Sequence, residues 1–88
     1  MIVRFWEARV VEGRLPDAVE WARAELLPLA LAAGANGAEL VKADADPPTG
    51  NPARIVVLTR WSFDPDFVEP PANPEVIARS HAWNFHAG

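Results

Sequence analysis

The segment Arg54–Trp61 carries the clearest strand signal in the sequence. The residues from Ile55 to Leu58 are all apolar, and three of them are β-branched. A strand with apolar side chains on both faces needs cover on both sides of its sheet. We therefore expect a helix over one face and a second layer over the other.

The length of the chain limits how that cover can be supplied. With 88 residues, the chain is the size of one small domain, spanning residues 1–88. Such a domain buries only about 60–65% of its unfolded surface, so its core is marginal. There is no cysteine, so neither a disulfide nor a thiolate-bound metal can add stability. Self-association is the remaining common route, and we expect a homodimer.

Charge and motifs argue against several functional classes. The formal net charge is −4 and no basic cluster stands out along the sequence, so we expect no nucleic-acid partner. The N-terminus lacks a signal-peptide pattern, and the longest apolar run is too short to span a bilayer, so we expect a soluble cytoplasmic protein with no membrane partner. No phosphate-binding loop, zinc motif or cysteine nucleophile is present, and we expect neither a cofactor nor a metal.

Periodicity predicts the order of the elements. A helix over 16–33 begins at Pro16 and ends before Gly34, and Pro28 should bend it by removing a hydrogen bond to Ala24. The apolar and alternating segments predict four strands at Ile2–Val11, Ala38–Ala43, Arg54–Trp61 and His81–His86.

The segment from Ser62 to Ser80 rules out a long second helix. It contains four prolines, and only Pro74–Arg79 has room for a turn or two, capped by Asn73. The order is then β-α-β-β-(short α)-β, a ferredoxin-like α+β plan. We predict a four-stranded antiparallel sheet with the first and third strands central and the long helix on one face. The other face is left open, and a second copy of the chain would cover it.

Three segments carry a resemblance to a known family: Ile2–Arg9, the pair Arg60-Trp61, and His81–Phe85. Together with the element order, they resemble the dimeric α+β barrel superfamily, in particular the small proteins grouped with the antibiotic biosynthesis monooxygenases. The resemblance implies a homodimer whose sheets form a barrel, with a pocket between sheet and helices in each subunit. Some members of that group oxidise aromatic polyketide intermediates with O₂ and no cofactor.

The candidate site residues follow from this resemblance and from residue chemistry. Trp61, Trp83, Trp6 and Phe5 are candidate substrate-binding residues for a small aromatic ligand. His81 is the candidate proton acceptor, and Arg60 is the candidate partner for a developing oxyanion.

Each of these residues also has a purely structural interpretation. The aromatic side chains would serve as core or dimer interface, His81 as a structural histidine, and Arg60 as half of a salt bridge. Two functions therefore stay open. The first is a small-molecule-binding dimer, and its catalytic form is a cofactor-independent monooxygenase that acts on an aromatic polyketide-like substrate. The second is a non-catalytic homodimer that binds a ligand or has a structural role.

The arginines on the predicted central strands pose a separate question. Any of Arg4, Arg9, Arg54 and Arg60 that points inward needs an anion. We expect Glu7, Glu39 or a ligand oxygen to supply it.

Overall fold

The chain folds into four strands and one long helical region, and the computed structural model describes all residues from Met1 to Gly88. In chain order the elements are strand β1 (Ile2–Val10), helix α1 (Leu15–Trp21), a π-helical segment (Ala22–Leu26), helix α2 (Leu27–Ala32), and strands β2 (Gly37–Ala43), β3 (Arg54–Trp61) and β4 (Ile77–His86). None of the helices has the length and apolar character needed to cross a membrane.

The four strands form one sheet in the order β2-β3-β1-β4, and all neighbouring strands are antiparallel. The first and third strands are central, which confirms the predicted ferredoxin-like α+β arrangement. Across the sheet, Trp6 lies opposite Val57 on one side and Ala82 on the other. The apolar run of β3 therefore occupies an interior strand, as its composition predicts.

The helical region adapts to Pro28 by widening one turn. The N–H of Leu27 donates to the carbonyl of Ala22, five residues back, within the π-helical segment. Proline has no N–H, and in a regular α-helix its ring would press against the carbonyl of Ala24. The wider turn relieves this conflict just before Pro28, so the disturbance predicted there takes the form of a π turn.

One face of the sheet, here called the helix face, packs against this helical region. Ala18, Ala22, Leu26 and Ala30 are buried at intervals of four residues. In a regular α-helix, residues four apart lie progressively further around the helix axis. The π turn keeps these four residues on the side that faces the sheet. These residues pack in two core clusters with side chains of the sheet, which include Trp6, Ala8, Val10, Ile55, Val57 and Trp61.

The proline-rich connection after β3 covers the part of the helix face around Trp61 and Arg4. The rings of Phe63 and Phe67 lie 5.9 and 5.6 Å from the ring of Trp61. This segment has no regular secondary structure, and it occupies the place that a second helix would take in a full ferredoxin-like fold.

The region predicted as a short helix at Pro74–Arg79 is a single turn followed by strand. The N–H of Glu75 donates to Oδ1 of Asn73 at 3.0 Å, so Asn73 caps the turn. Strand β4 then begins at Ile77, four residues earlier than the predicted start at His81. Ile77 is β-branched and buried, and its packing against the core favours the extended conformation from that residue onward.

The second face of the sheet, here called the open face, is not covered by any helix. Strand alternation and register place these side chains on it: Val3, Phe5, Glu7 and Arg9 from β1; Glu39 and Val41 from β2; Arg54, Val56, Leu58 and Arg60 from β3; and Arg79, His81, Trp83 and Phe85 from β4. Half of them are apolar, and Trp83 and Phe85 are 44% and 50% exposed. The chain alone thus leaves a large apolar surface in water.

Candidate functional site

His81 lies on the open face beside an acidic and an aromatic side chain. It is opposite Glu7 in the register of β4 and β1, and its Nε2 is 3.7 Å from Oε1 of Glu7. Its ring also meets the ring of Trp83 edge-on, with 4.4 Å between centroids. All three side chains are accessible to solvent. An imidazole next to a carboxylate can accept a proton and hold the resulting positive charge.

The aromatic residues around His81 form a continuous strip, here called the open-face aromatic cluster, made of Phe5, His81, Trp83 and Phe85. Trp83 is opposite Phe5 in the sheet register. The ring of Phe5 contacts the ring of Phe85 edge-on at 5.1 Å. The cluster presents aromatic rings and one imidazole on the same face of the sheet, and such rings can stack with or pack edge-on against a planar aromatic partner.

Arg60 lies on the same face as His81 but at a distance from it. Arg60 is opposite Val3, whereas His81 is opposite Glu7. Val3 and Glu7 are about 13 Å apart along the strand, and the two residues flank β1 on opposite sides. The structure of one chain therefore does not bring Arg60 and His81 to a common point.

Trp6 and Trp61 lie on the helix face, away from the other candidate ligand-binding residues. Trp61 is fully buried, and its Nε1–H donates to Oγ1 of Thr59 at 2.9 Å. Trp6 is also buried and packs against Trp21, with ring centroids 5.8 Å apart. The four predicted aromatic residues are thus divided: Phe5 and Trp83 are on the open face, and the other two belong to the core.

The space between the sheet and the helical region is filled with side chains. This is where the family resemblance implies a pocket, but the core clusters occupy it, and every buried side-chain nitrogen or oxygen has a hydrogen-bond partner. The clefts lie elsewhere. One of about 350 Å³ separates the turn after β1 from the loop between β2 and β3, and one of about 180 Å³ lies at the edge of the open face. Neither is lined by His81, Arg60 or a tryptophan.

Arg4 is the arginine that turns toward the covered side of the sheet, and it has an unexpected partner. Its Nε and Nη2 donate to Oε2 and Oε1 of Glu69, both at 2.7 Å, and its Nη1 donates to Oδ1 of Asn84 at 3.0 Å. The hydrogen bonds that Arg4 donates to Glu69 raise the pKa of Arg4 above its ordinary value and outweigh the opposing effect of burial. We expected Glu7 or Glu39 in this role, but both lie on the opposite face. No local signal marked Glu69, because it lies in the irregular connection.

No group of three or more histidine, aspartate or glutamate side chains is placed to hold a metal ion. Comparison of the chain with protein-family models, curated proteins and solved structures finds no match. The resemblance to the antibiotic biosynthesis monooxygenases therefore rests on the segments quoted above and on the order of the elements.

Proposed function

We propose that the chain acts as a homodimer that binds a small planar aromatic molecule at the open-face aromatic cluster, with His81 as proton acceptor. The observation that carries this proposal is the contact of His81 with both Glu7 and Trp83 on an accessible surface. A ring stacked on Trp83 would place its substituents beside the imidazole. The carboxylate of Glu7 lies 3.7 Å from Nε2 of His81, on the same face as the ring of Trp83.

The composition of the open face supports the proposal of a dimer. An apolar sheet face of this extent on a short chain is typical of a protein interface. Two copies that meet face to face would pack their sheets about 10 Å apart. Their aromatic clusters would then be shielded from bulk water, and a ligand held there would be enclosed by both subunits.

The catalytic form of this proposal is a cofactor-independent monooxygenase. His81 would remove one proton from an activated CH₂ group of an aromatic ketone, the carbanion would add O₂, and the imidazolium would return its proton to the peroxide to give a hydroperoxide. Loss of water from the hydroperoxide leaves a carbonyl group, so one oxygen atom enters the product and the other leaves as water. Arg60 would contribute to the same site only if the second copy supplied it, because the two residues are far apart in one chain.

A second candidate function is a non-catalytic ligand-binding or structural homodimer. The observation in its favour is the burial of Trp6 and Trp61 in a filled core, which leaves no room for a substrate between sheet and helices. In that case the open-face aromatic residues serve as interface.

A thermal-shift screen distinguishes these functions. Polycyclic phenols, anthrone-like ketones and short fatty acids would be added to the purified protein, since a ligand that binds only the folded state raises its Tm. We expect the planar aromatic compounds to raise the Tm of the wild type and of His86→Ala, a matched histidine variant at the end of β4. Trp83→Ala should abolish the shift. O₂ consumption with the binding compound, lost in His81→Ala but kept in His86→Ala, would establish catalysis.

Two results would count against the ligand-binding proposal. The first is a panel with no shift at all. The second is a shift that Trp83→Ala leaves unchanged, which would place the ligand elsewhere. Binding without O₂ consumption would leave the non-catalytic function.

A further inference from the structure

Three arginines form a row across one end of the open face. Arg9 on β1 is directly opposite Arg54 on β3 and directly opposite Arg79 on β4. Residues paired in this way have Cβ atoms about 4.5–5.5 Å apart, and like charges in such pairs are destabilising. The guanidinium group of arginine carries a positive charge. The row therefore concentrates three positive charges at one place in a chain whose net charge is −4.

The chain provides no carboxylate partner for this row. Its three ion pairs join Arg4 to Glu69, Arg14 to Asp17 and His81 to Glu7. Glu7 is the nearest acidic residue on the same strand face, about 7 Å along β1 from Arg9, and it contacts His81 instead. Arg9 and Arg79 are exposed and Arg54 is half-buried. Three adjacent guanidinium groups are thus left free to donate hydrogen bonds.

Two features of the backbone and surface lie next to the row. The pairing of β1 with β4 shifts register between Arg9 and Val10, and such β-bulges often occur beside functional sites, where they redirect a side chain. The cleft of about 180 Å³ on the open face also reaches the row. It is lined by Glu7, Val41, Lys42, Ala43, Arg54 and Val56. On the open face, Arg54 is the basic side chain of this cleft and Glu7 the acidic one, and Val41, Ala43 and Val56 make the rest of its wall apolar.

From this arrangement we propose that Arg9, Arg54 and Arg79 form an anion-binding site for the carboxylate or phosphate group of a small amphipathic ligand, whose apolar part lies in the adjoining cleft. Guanidinium groups match the oxygen spacing of both anions and bind them through paired hydrogen bonds. Val41 and Val56 would contact the apolar part of the ligand. The inference does not rest on the proposed function, since an anion can bind the row whether or not the aromatic cluster binds a ligand.

The site can be tested with simple anions at constant ionic strength, which removes general screening effects. Inorganic phosphate and benzoate would be titrated separately into the purified protein while the Tm is measured. Chloride and uncharged benzamide serve as controls for charge and for the aromatic ring. We expect a saturable rise in Tm with phosphate, benzoate or both, and none with the controls. A response to phosphate alone identifies a phosphoryl ligand, and a response to benzoate alone identifies a carboxylate.

The matched variants are Arg9→Gln in the row and Arg23→Gln on the exposed side of the helical region, which removes the same charge elsewhere. Arg9→Gln should weaken anion binding about 10-fold or more, since each charged hydrogen bond lost is worth about 1.5–3 kcal/mol. In anion-free buffer it should melt at the same temperature as the wild type or higher, because one repulsive charge is gone. Arg23→Gln should bind like the wild type.

Three outcomes would overturn the proposal. The first is that neither anion raises the Tm. The second is that the anions raise the Tm of Arg9→Gln as much as that of the wild type. The third is that Arg9→Gln loses stability in anion-free buffer and dissociates into monomers. The last outcome would show that the row pairs with carboxylates of a second copy.

Discussion

Arg4 and Glu69 form a two-point ion pair across 65 residues of sequence, with both N–O distances at 2.7 Å. The pair links the irregular connection between β3 and β4, which contains Glu69, to the central strand β1, which contains Arg4. Phe63 and Phe67 of the same connection pack on Trp61. A few specific contacts thus hold in place a segment that its prolines prevent from becoming a helix.

Replacement of Glu69 by glutamine should therefore lower the free energy of unfolding by about 1–3 kcal/mol, because it leaves the largely buried guanidinium of Arg4 without its anion. Urea denaturation would measure the loss. Glu75→Gln, at an exposed carboxylate outside any ion pair, is the matched control and should change stability little. Equal effects of the two substitutions would contradict the assigned role of the pair.

The raised pKa of Arg4 fixes the pH dependence of its contribution. A base whose pKa is raised by folding contributes stability that is fully present below its unfolded pKa and is lost only as the pH rises through the folded value. The contribution of the charged Arg4 side chain to the free energy of unfolding should therefore be the same at pH 6 and pH 9. A denaturation series over this range in wild type and Arg4→Met would detect any loss.

Truncation of a buried tryptophan should cost more stability than truncation of an exposed one. Trp61→Ala should lower the free energy of unfolding by about 3–5 kcal/mol, since it empties a fully buried site and leaves Thr59 without its indole donor. Trp83→Ala removes a side chain that is 44% exposed in the single chain, and its cost should be smaller. Denaturation at several protein concentrations checks both, because only the open-face variant should also weaken self-association. Similar losses that do not vary with concentration would refute the distinction.

Gly34 ends the helical region with a conformation that other residues rarely adopt. Its φ is +111°, and a Cβ placed there would lie 3.0 Å from Cζ of Phe63. Gly34→Ala should therefore destabilise the fold by about 1–3 kcal/mol. Gly37→Ala is the control, since that glycine has no left-handed φ and open space around it, and it should be neutral. In the double variant with Gly34→Ala and Phe63→Ala, the steric clash is gone but the unfavourable φ remains. Only part of the lost stability should therefore return, and thermal denaturation would measure that part.

The open face should control self-association. Phe5→Glu places a charge at the centre of the apolar surface and should convert the proposed dimer into a monomer. Val68→Glu makes a comparable change at an apolar side chain that is 82% exposed in the connection after β3, and it should leave the dimer intact. Light scattering across the micromolar range would report the masses. A folded wild-type monomer at these concentrations would rule out the dimer directly.

Local sequence patterns were sufficient to predict the architecture. Strand alternation, a proline at the start of the helix, a glycine after its end and the prolines of 62–80 all act over a few residues, so the element order and the central position of β1 and β3 could be inferred. The start of β4 could not, because Ile77 belongs to a core cluster whose other members are mostly distant in the sequence. Pro28 likewise predicts a disturbance of the helix, but a proline alone does not specify that the disturbance is a π turn.

The distribution of side chains between the two faces was decided by tertiary structure. Alternation shows that Phe5 and Trp6 point to opposite sides, but only the position of the helical region determines that Trp6 enters the core and Phe5 the open face. The pairing of Arg4 with Glu69, the contact of Glu7 with His81 and the row of three arginines join residues that are far apart in the chain. Such juxtapositions depend on strand register and long-range packing, which no short stretch of sequence encodes.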